Sequence, residues 1–452
     1  MTKPHYQPSG CVAGSQARRD ASDSSYAFNV NLNNGNVNWN NRNNSGLVRL
    51  CREVSPRECQ GVTLQQLYRA YRSARAGKKP SADQLRFDSN WMEELIRLRD
   101  ELNGGTYGPS RSILSIARNP KAREIHAPAF RDRVVHHLLV PMLEAIWEPV
   151  FIHDSYSNRK GKGTLAAVAR VRTFAHQVES GQGRGWELKL DISNFFYSIW
   201  REKLWRQLKP RMERAGLPAY AMRAVHALLR HSPLAAGVLD LTTPEQRELV
   251  PPHKRLANAA KGCGLCIGNL LSQFLANVYL NELDQFVKHK LGARRYVRYV
   301  DDFVLIHQDR AQLDAWKVRI EQFLWAQLRL RLKDEGELKP LSEGIDFLGY
   351  VVRPSHTTVR RRVVSHARER LSLWGQQHVA GGQASATPAQ YRHLRSVWAS
   401  YGLGHFSHAD SHRLTQDFHR RYPWLRQLAE TPRRFHSRLE GRRVTIKLLR
   451  AA

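Results

Sequence analysis

At 452 residues the chain is too long for one small core, and two to four subdomains are expected. Hydrophobic residues make up 42%, enough to fold, but 71 Lys and Arg against 40 Asp and Glu leave a net charge of +31. A field of that sign repels itself unless a polyanion is the working partner, so nucleic acid is expected first and an anionic membrane surface second. No run of about 18 or more uncharged apolar residues is present to span a bilayer, and MTKPHYQPSG lacks the apolar core of a signal peptide. A cytoplasmic protein without membrane partners is expected. Five cysteines without regular spacing exclude a disulfide framework. Cys263 and Cys266 form a CxxC with no second pair to complete a zinc site, and read as two small residues in a tight loop.

Residues 1–60 form a polar extension in which ten of the sixteen residues from Asn29 to Asn44 are asparagine. Asparagine is a poor helix former and depleted from strands, so this segment is expected to be partly disordered. From Thr63 the pattern turns helical, LQQLYRAYRSARAGKK and then WMEELIRLRDELNGG, whose glycine pair is a helix stop. The basic stretch SILSIARNPKAREIHAPAFRDRVV predicts short strands leading into a helix from Arg131 to Trp147, and RKGKGT a turn opening another helix. WELKLDISNFF predicts a strand with Trp186, Leu188 and Leu190 on one face, followed by a helical region with Pro-marked loops over about 201–261. GLCIGNLLSQFLANVYL is a glycine turn feeding a long helix, and RRYVRYVDDFVLIHQD two short apolar strands joined at Asp301-Asp302, a hairpin signal. A helix from Ala311 to Leu328 and the strand-like GIDFLGYVV follow. The last hundred residues are helical and rich in Arg and His, with a basic run from Arg433 to Arg450.

This order places Asp191 at one strand end and Asp301-Asp302 at the tip of an adjacent hairpin. Three such carboxylates repel one another unless a cation sits between them, and oxygen ligands of this kind suit Mg2+. Two ions held so activate a 3′-hydroxyl and stabilise a leaving pyrophosphate in an in-line phosphoryl transfer. An Asp pair at a hairpin tip is also ordinary turn chemistry, and by itself would carry no more than that.

It does not stand by itself. PKAREIHAP with FRDRVV, then RKGKGT, LKLDISNFF, GLCIGNLLSQ, YVDD and GIDFLGY follow one another in an order that resembles the reverse transcriptases, over roughly Thr63 to Arg420. The resemblance implies an α+β right-hand polymerase: fingers over 61–185, a palm with an RRM-like antiparallel sheet over 186–355 carrying the helical insertion, and a helical thumb with a basic tail over 356–452. It makes Asp191, Asp301 and Asp302 catalytic residues and ligands of two Mg2+ ions, with Mn2+ as the other candidate metal, and gives the Ile192 carbonyl a place in one ion's shell. Phe196 stands where these enzymes keep a ring under the sugar of the incoming nucleotide, rejecting a 2′-hydroxyl. Phe195 and Phe196, as neighbours on a strand, are expected to face opposite ways, one of them into the core. Arg123 resembles the arginine that grips the triphosphate, with Lys121 beside it. Arg159, Lys160 and Lys162, then Arg360, Arg361 and Arg362, and the run Arg433 to Arg443 are candidate phosphate contacts to RNA or primer-template duplex. Polymerases of this class often carry a lysine just after the hairpin strands as proton donor to the leaving group; neither Lys333 nor Lys339 in LKDEGELKP aligns with it, and that role is left unassigned.

IGNLLSQ narrows the resemblance, with Ile267, Gly268 and Gln273 as expected nucleotide-site residues. Group II intron and retroviral enzymes usually carry Gln before that glycine, whereas Ile267 is similar to the reverse transcriptases of diversity-generating retroelements, a group II intron-like bacterial class. An apolar wall discriminates by only about 1–3 kcal/mol, so misinsertion is penalised less. This subtype implies copying of a template-repeat RNA into adenine-mutagenised cDNA for mutagenic retrohoming, with dNTPs, a primer and a small basic helical accessory protein as partners. It also accounts for the asparagines: substituting both adenines of AAC or AAT yields any NNY codon and no stop, so residues 1–60 read as a translated template or variable repeat. A defence-associated or abortive-infection reverse transcriptase and a catalytically inert RNA-binding scaffold remain as alternatives.

Overall fold

The computed structural model describes residues 61–428, apart from 78, 119–120, 235–236, 334–335 and 381–382, together with short strands at 26–30, 37–41, 436–439 and 442–445. Within the Asn-rich extension, β1 (Tyr26–Val30) and β2 (Val37–Asn41) pair antiparallel. The rest of residues 1–60, and with it most of the proposed repeat, lies outside the described residues, as do most of the basic residues from Arg433 to Arg450. By its internal contacts the chain forms two units, residues 1–149 with 201–274, and residues 150–200 with 275–452.

In the first unit α1 (Leu64–Arg75) is fixed at its start by a capping box between Thr63 and Gln66 and buries Leu67, Ala70, Tyr71 and Ala74 at helical spacing. After α2 (Ala82–Ser89), α3 (Trp91–Gly104) stops on Gly105, the second glycine of the predicted stop, in the left-handed conformation. Next come β3 (Ser112–Ala117), β4 (Arg123–Ala127) and α4 (Phe130–Trp147). Asp132, buried on α4, accepts from the Tyr107 hydroxyl and the Ser110 N–H, both at 2.8 Å, and so holds the chain just before β3 against that helix.

The chain then enters the second unit through α5 (Thr164–Gln182), β5 (Trp186–Asp191) and the one-turn α6 (Phe195–Ser198). It returns to the first unit for α7 (Arg201–Arg214), α8 (Ala219–Arg230), β6 (Val238–Asp240) and α9 (Pro244–Glu248). The expected helical region therefore also holds a strand: β6 lies parallel to β3 in a sheet of order β4-β3-β6. Three residues are too few to show a period of two, so no alternation announced it. Beyond α10 (Leu270–Gln285) the second unit resumes with β7 (Tyr296–Tyr299), β8 (Asp302–His307), α11 (Arg310–Leu328) and β9 (Glu337–Pro340).

These strands form a four-stranded antiparallel sheet, β7-β8-β5-β9, with Leu188 opposite Leu305, Leu190 opposite Phe303 and Asp191 opposite Asp302. One face packs Val297, Val304 and Ile306 on Val171, Phe174 and Val178 of α5. On the other, Tyr296 and Arg298 meet Asp284 of α10. GIDFLGYVV is a hairpin rather than one strand: β10 (Ile345–Phe347) and β11 (Tyr350–Val352) join β12 (Thr357–Val359) in a second antiparallel sheet. The predicted C-terminal helices are α12 (Arg361–His378), α13 (Pro388–Gly402) and α14 (His412–Arg421), packed around Leu371, Trp374, Leu394, Phe406 and Phe418. Among the described residues no helix is long and apolar enough to cross a membrane.

Buried His136 on α4 has an unpartnered Nδ1, and burial, helped by nearby His137 and Arg133, pushes its pKa down from 6.5 to about 3. The unfolded chain takes up that proton near 6.5, so acid favours unfolding. The stability contribution is complete above 6.5 and is lost as pH falls toward 3, by roughly 1.4 kcal/mol per unit. Thermal melts from pH 7 to 4.5 are expected to show a steeper decline in the wild type than in His136→Leu.

Candidate active site

The site begins with strand register. Antiparallel pairing of β5 with β8 sets Asp191 opposite Asp302, and the Ile192 N–H donates to the Asp301 carbonyl at 3.3 Å, carrying the pairing one residue further. Asp191, Asp301 and Asp302 are thus brought together, close enough for the first two to act on the third electrostatically. Between β7 and β8 the chain turns at Val300, whose φ is +58°. A β-branched residue held there costs on the order of 1–3 kcal/mol.

Arg298, three residues before Asp301, is fully buried, and each of its five N–H groups has an acceptor. Nε and Nη2 form a fork on Asp284, at 2.7 and 2.6 Å. Nη2 also donates to Ser155 Oγ at 3.1 Å, and Nη1 to Asn277 Oδ1 at 3.2 Å and to the Val300 carbonyl at 2.9 Å.

Two lysines attend the carboxylates. Lys333 Nζ lies 3.8 Å from Asp191 Oδ2, and its backbone N–H donates to the Asp191 carbonyl at 2.8 Å. Lys189, on the same strand as Asp191, sits 3.8 Å from Asp302 Oδ2 and donates to the Asp346 carbonyl at 2.7 Å. Asp346 adds a fourth carboxylate and pairs with Arg360 Nη2 at 2.8 Å. Burial pushes the Asp302 carboxyl up to about 7 against the pull of Lys189, and Asp191, Asp301 and Asp346 push the same way as burial.

A buried oxygen of Asp302, Oδ1, has no hydrogen-bond partner. An orphaned carboxylate oxygen facing two further carboxylates is a donor set that fits a hard divalent cation. Among the described residues no group of three or more His, Cys, Asp or Glu side chains is placed so that it could hold a metal ion. Asp191 and Asp302 each lie beside a lysine instead.

The other predicted residues divide between the units. In the second, Phe195 is buried and Phe196 half-buried, their rings edge-on with centroids 5.5 Å apart. They occupy the helical turn α6 rather than a strand, so strand alternation is not what separates them; Asn194, at φ +45°, ends the extended run. Arg159 donates to the carbonyls of Ile152 and Ser155, and Lys162 to that of His153 while lying over the Tyr156 ring, so both brace their own loop. Lys160, Arg361 and Arg362 are exposed.

In the first unit, Lys121 and Arg123 are exposed at the start of β4, and Gln273 lies in the first turn of α10. Ile267 is half-buried beside Gly268, whose φ is +103°. Neither Cys263 nor Cys266 is in a disulfide, and burial pushes the Cys266 thiol up to about 12, which suits packing rather than thiolate chemistry.

Sequence reasoning missed Lys189, Asp346 and Arg298. The signal for Arg298 was available: a charged residue on the inward face of an apolar strand requires a buried partner. Lys333 was considered and set aside, because sequence alignment does not see the backbone bond that ties it to Asp191.

The carboxylates thus stand on adjacent strand ends of an antiparallel sheet, with Asp301 and Asp302 at the hairpin between β7 and β8. The chain belongs to the reverse transcriptase (RNA-dependent DNA polymerase) family, whose model matches residues 116–352, more than half of its length. Protein YkfC of Escherichia coli K12 is 28% identical over 309 residues, which are 60% of this chain and 74% of that one. The group II intron-encoded protein LtrA of Lactococcus lactis is 23% identical over 364 residues, 65% of this chain and 56% of that one. Among solved structures, telomerase from Candida tropicalis in complex with a fragment of telomeric RNA aligns with a TM-score of 0.41 at 10% identity, covering 76% of this chain and 61% of that one.

A Cβ placed on Gly268 would lie 2.8 Å from Ile125 Cγ2, in a conformation that L side chains rarely adopt. Gly268→Ala is expected to cost about 1–3 kcal/mol in urea unfolding, and adding Ile125→Ala to recover only the steric part.

Proposed function

We propose that this chain copies an RNA template into DNA by metal-assisted phosphoryl transfer and that it does so with low fidelity at template adenines, as a diversity-generating reverse transcriptase. The polymerase reading is supported by the register that brings Asp191, Asp301 and Asp302 together, with the orphaned Asp302 oxygen among them. Asp191, Asp301, Asp302 and the Ile192 carbonyl would hold Mg2+, which when bound lowers the pKa of the primer 3′-hydroxyl and neutralises charge on the leaving pyrophosphate. The residues of the chain do the rest. Lys189 keeps the half-buried Asp302 carboxylate oriented, and Phe196 excludes a 2′-hydroxyl. Lys333, beside Asp191, places a cation and a proton at the edge of the acidic cluster. Arg123 and Lys121 bind the triphosphate, and the exposed Lys160, Arg361 and Arg362 contact template or primer phosphates.

The mutagenic reading rests on Ile267. A glutamine before Gly268 would offer a donor and an acceptor against which base-pair geometry is tested; isoleucine offers only shape. Its partners would be a template-repeat RNA, a primer, dNTPs and a small basic helical accessory protein.

The purified chain, given Mg2+, the four dNTPs, its adjacent RNA and any neighbouring small basic protein, is expected to make cDNA with substitutions concentrated opposite template adenines. Asp301→Ala is expected to reduce synthesis to background with the melt unchanged. Ile267→Gln is expected to lower adenine misincorporation roughly tenfold or more, because a hydrogen-bonding site discriminates beyond the about 1–3 kcal/mol of an apolar wall. Faithful cDNA from the wild type would remove the mutagenic role and leave the polymerase. Untemplated products would favour the defence-associated class.

A further inference from the structure

We propose that Arg298 is a positioning residue for the catalytic aspartates: it holds the Val300 carbonyl, and with it the left-handed turn that presents Asp301 and Asp302 to Asp191. The proposal rests on the metal-site reading of those aspartates.

Of the five acceptors around this guanidinium, four lie on surrounding scaffold and one on the hairpin itself. The four are both Asp284 oxygens, Asn277 Oδ1 and Ser155 Oγ. Asn277 and Asp284 are seven residues apart on α10, two turns along one helix face. Ser155 belongs to a segment that is itself tied down. The Arg298 N–H donates to the Asp154 carbonyl, the Tyr156 N–H donates to the Arg298 carbonyl, and the Asp154 carboxylate is held by Arg170 and Lys288 at 2.8 Å each. The fifth acceptor is the carbonyl of Val300, the residue in the strained turn conformation.

A fixed scaffold on one side and a strained carbonyl on the other make the side chain a clamp. Geometry that glycine would adopt freely is imposed here on a valine, and imposed geometry persists only where something holds it. A buried guanidinium needs an acceptor for each donor, but nothing in that need requires the acceptor to be a strained turn; here the acceptor is the Val300 carbonyl. Lysine cannot replace this function, because three donors on one nitrogen cannot fork onto Asp284 and also reach Asn277 and Val300.

The test uses the full-length chain as wild type, Asp301→Ala, Arg298→Lys, Val300→Gly, the Arg298→Lys/Val300→Gly double variant and Asn277→Ala. It reads thermal melting, Mn2+ affinity by electron paramagnetic resonance, and kcat and KM for dNTP in primer extension. Arg298→Lys is expected to weaken Mn2+ binding about tenfold or more and to lower kcat more than it raises KM. Adding Val300→Gly should recover most of that loss, since glycine takes the turn without strain. Asn277→Ala leaves the ion pair in place and loosens the nitrogen that holds Val300, while also removing the Asn277 donor to the Ser157 carbonyl, so a few-fold loss in the same two quantities is expected even if Arg298→Lys does not fold. Wild-type Mn2+ affinity and kcat in Arg298→Lys or in Asn277→Ala would overturn the proposal. So would a double variant that recovers nothing. A wild type without Asp301-dependent Mn2+ binding would overturn the metal-site reading and this proposal with it, whereas equal binding by wild type and variants would overturn the positioning role alone.

Discussion

A guanidinium shut away from water is tolerable only when its charge is matched and each of its donors is answered, and the second unit is organised around meeting that condition for Arg298. Asp284 matches the charge, and its Oδ1 also accepts from the Tyr296 hydroxyl. Asn277, Ser155 and Val300 answer the remaining donors. A helix, a hairpin and the loop before α5 are thereby bound to one point. Hydrophobic packing of Val297, Val304 and Ile306 on α5 would tolerate small slips; a forked hydrogen-bonding group does not. Directional bonds thus fix the hairpin that carries Asp301 and Asp302, backbone pairing sets Asp191 opposite Asp302, and apolar burial supplies most of the energy.

The same electrostatic logic runs outward with the sign reversed. In a chain of net charge +31 the acidic cluster is the exception, and it is maintained by nearby lysines. Lys189 comes from the strand that bears Asp191, and Lys333 from a segment tied to Asp191 through the backbone. Asp346 joins the cluster from the β10–β11 hairpin and is balanced by Arg360 at the start of α12. Asp191, Asp302 and Asp346 each take a counter-charge from a different element, so the cluster links pieces of chain far apart in sequence.

Much of this was legible in the residues. The helix from Thr63, the strand ending at Asp191, the Asp301-Asp302 hairpin and the helix after it all carry periodicity long enough to read, and the structure has them. What was missed is short or non-local. Strands β6 and β9 have three and four residues, and their existence depends on a partner strand rather than on their own pattern. Phe195 and Phe196 follow a strand without belonging to it, because the left-handed Asn194 ends the extended run and no local apolar pattern marks that break. Arg159 and Lys162 are candidate phosphate contacts by type, and each also donates to carbonyls of its own loop, which composition does not reveal.

The path of the chain between units has a consequence for its synthesis. Strand β3 starts at Ser112 and its parallel neighbour β6 at Val238, so 238 − 112 = 126 residues separate them. At about 5–20 residues per second on the ribosome, one edge of β3 waits roughly 6–25 s for its partner. During that interval the strand bearing Asp191 emerges and must not take the vacant edge. Glu187, Lys189 and Asp191 of WELKLD, charged residues that alternate with apolar ones, make that early mispairing unfavourable before they serve any other purpose.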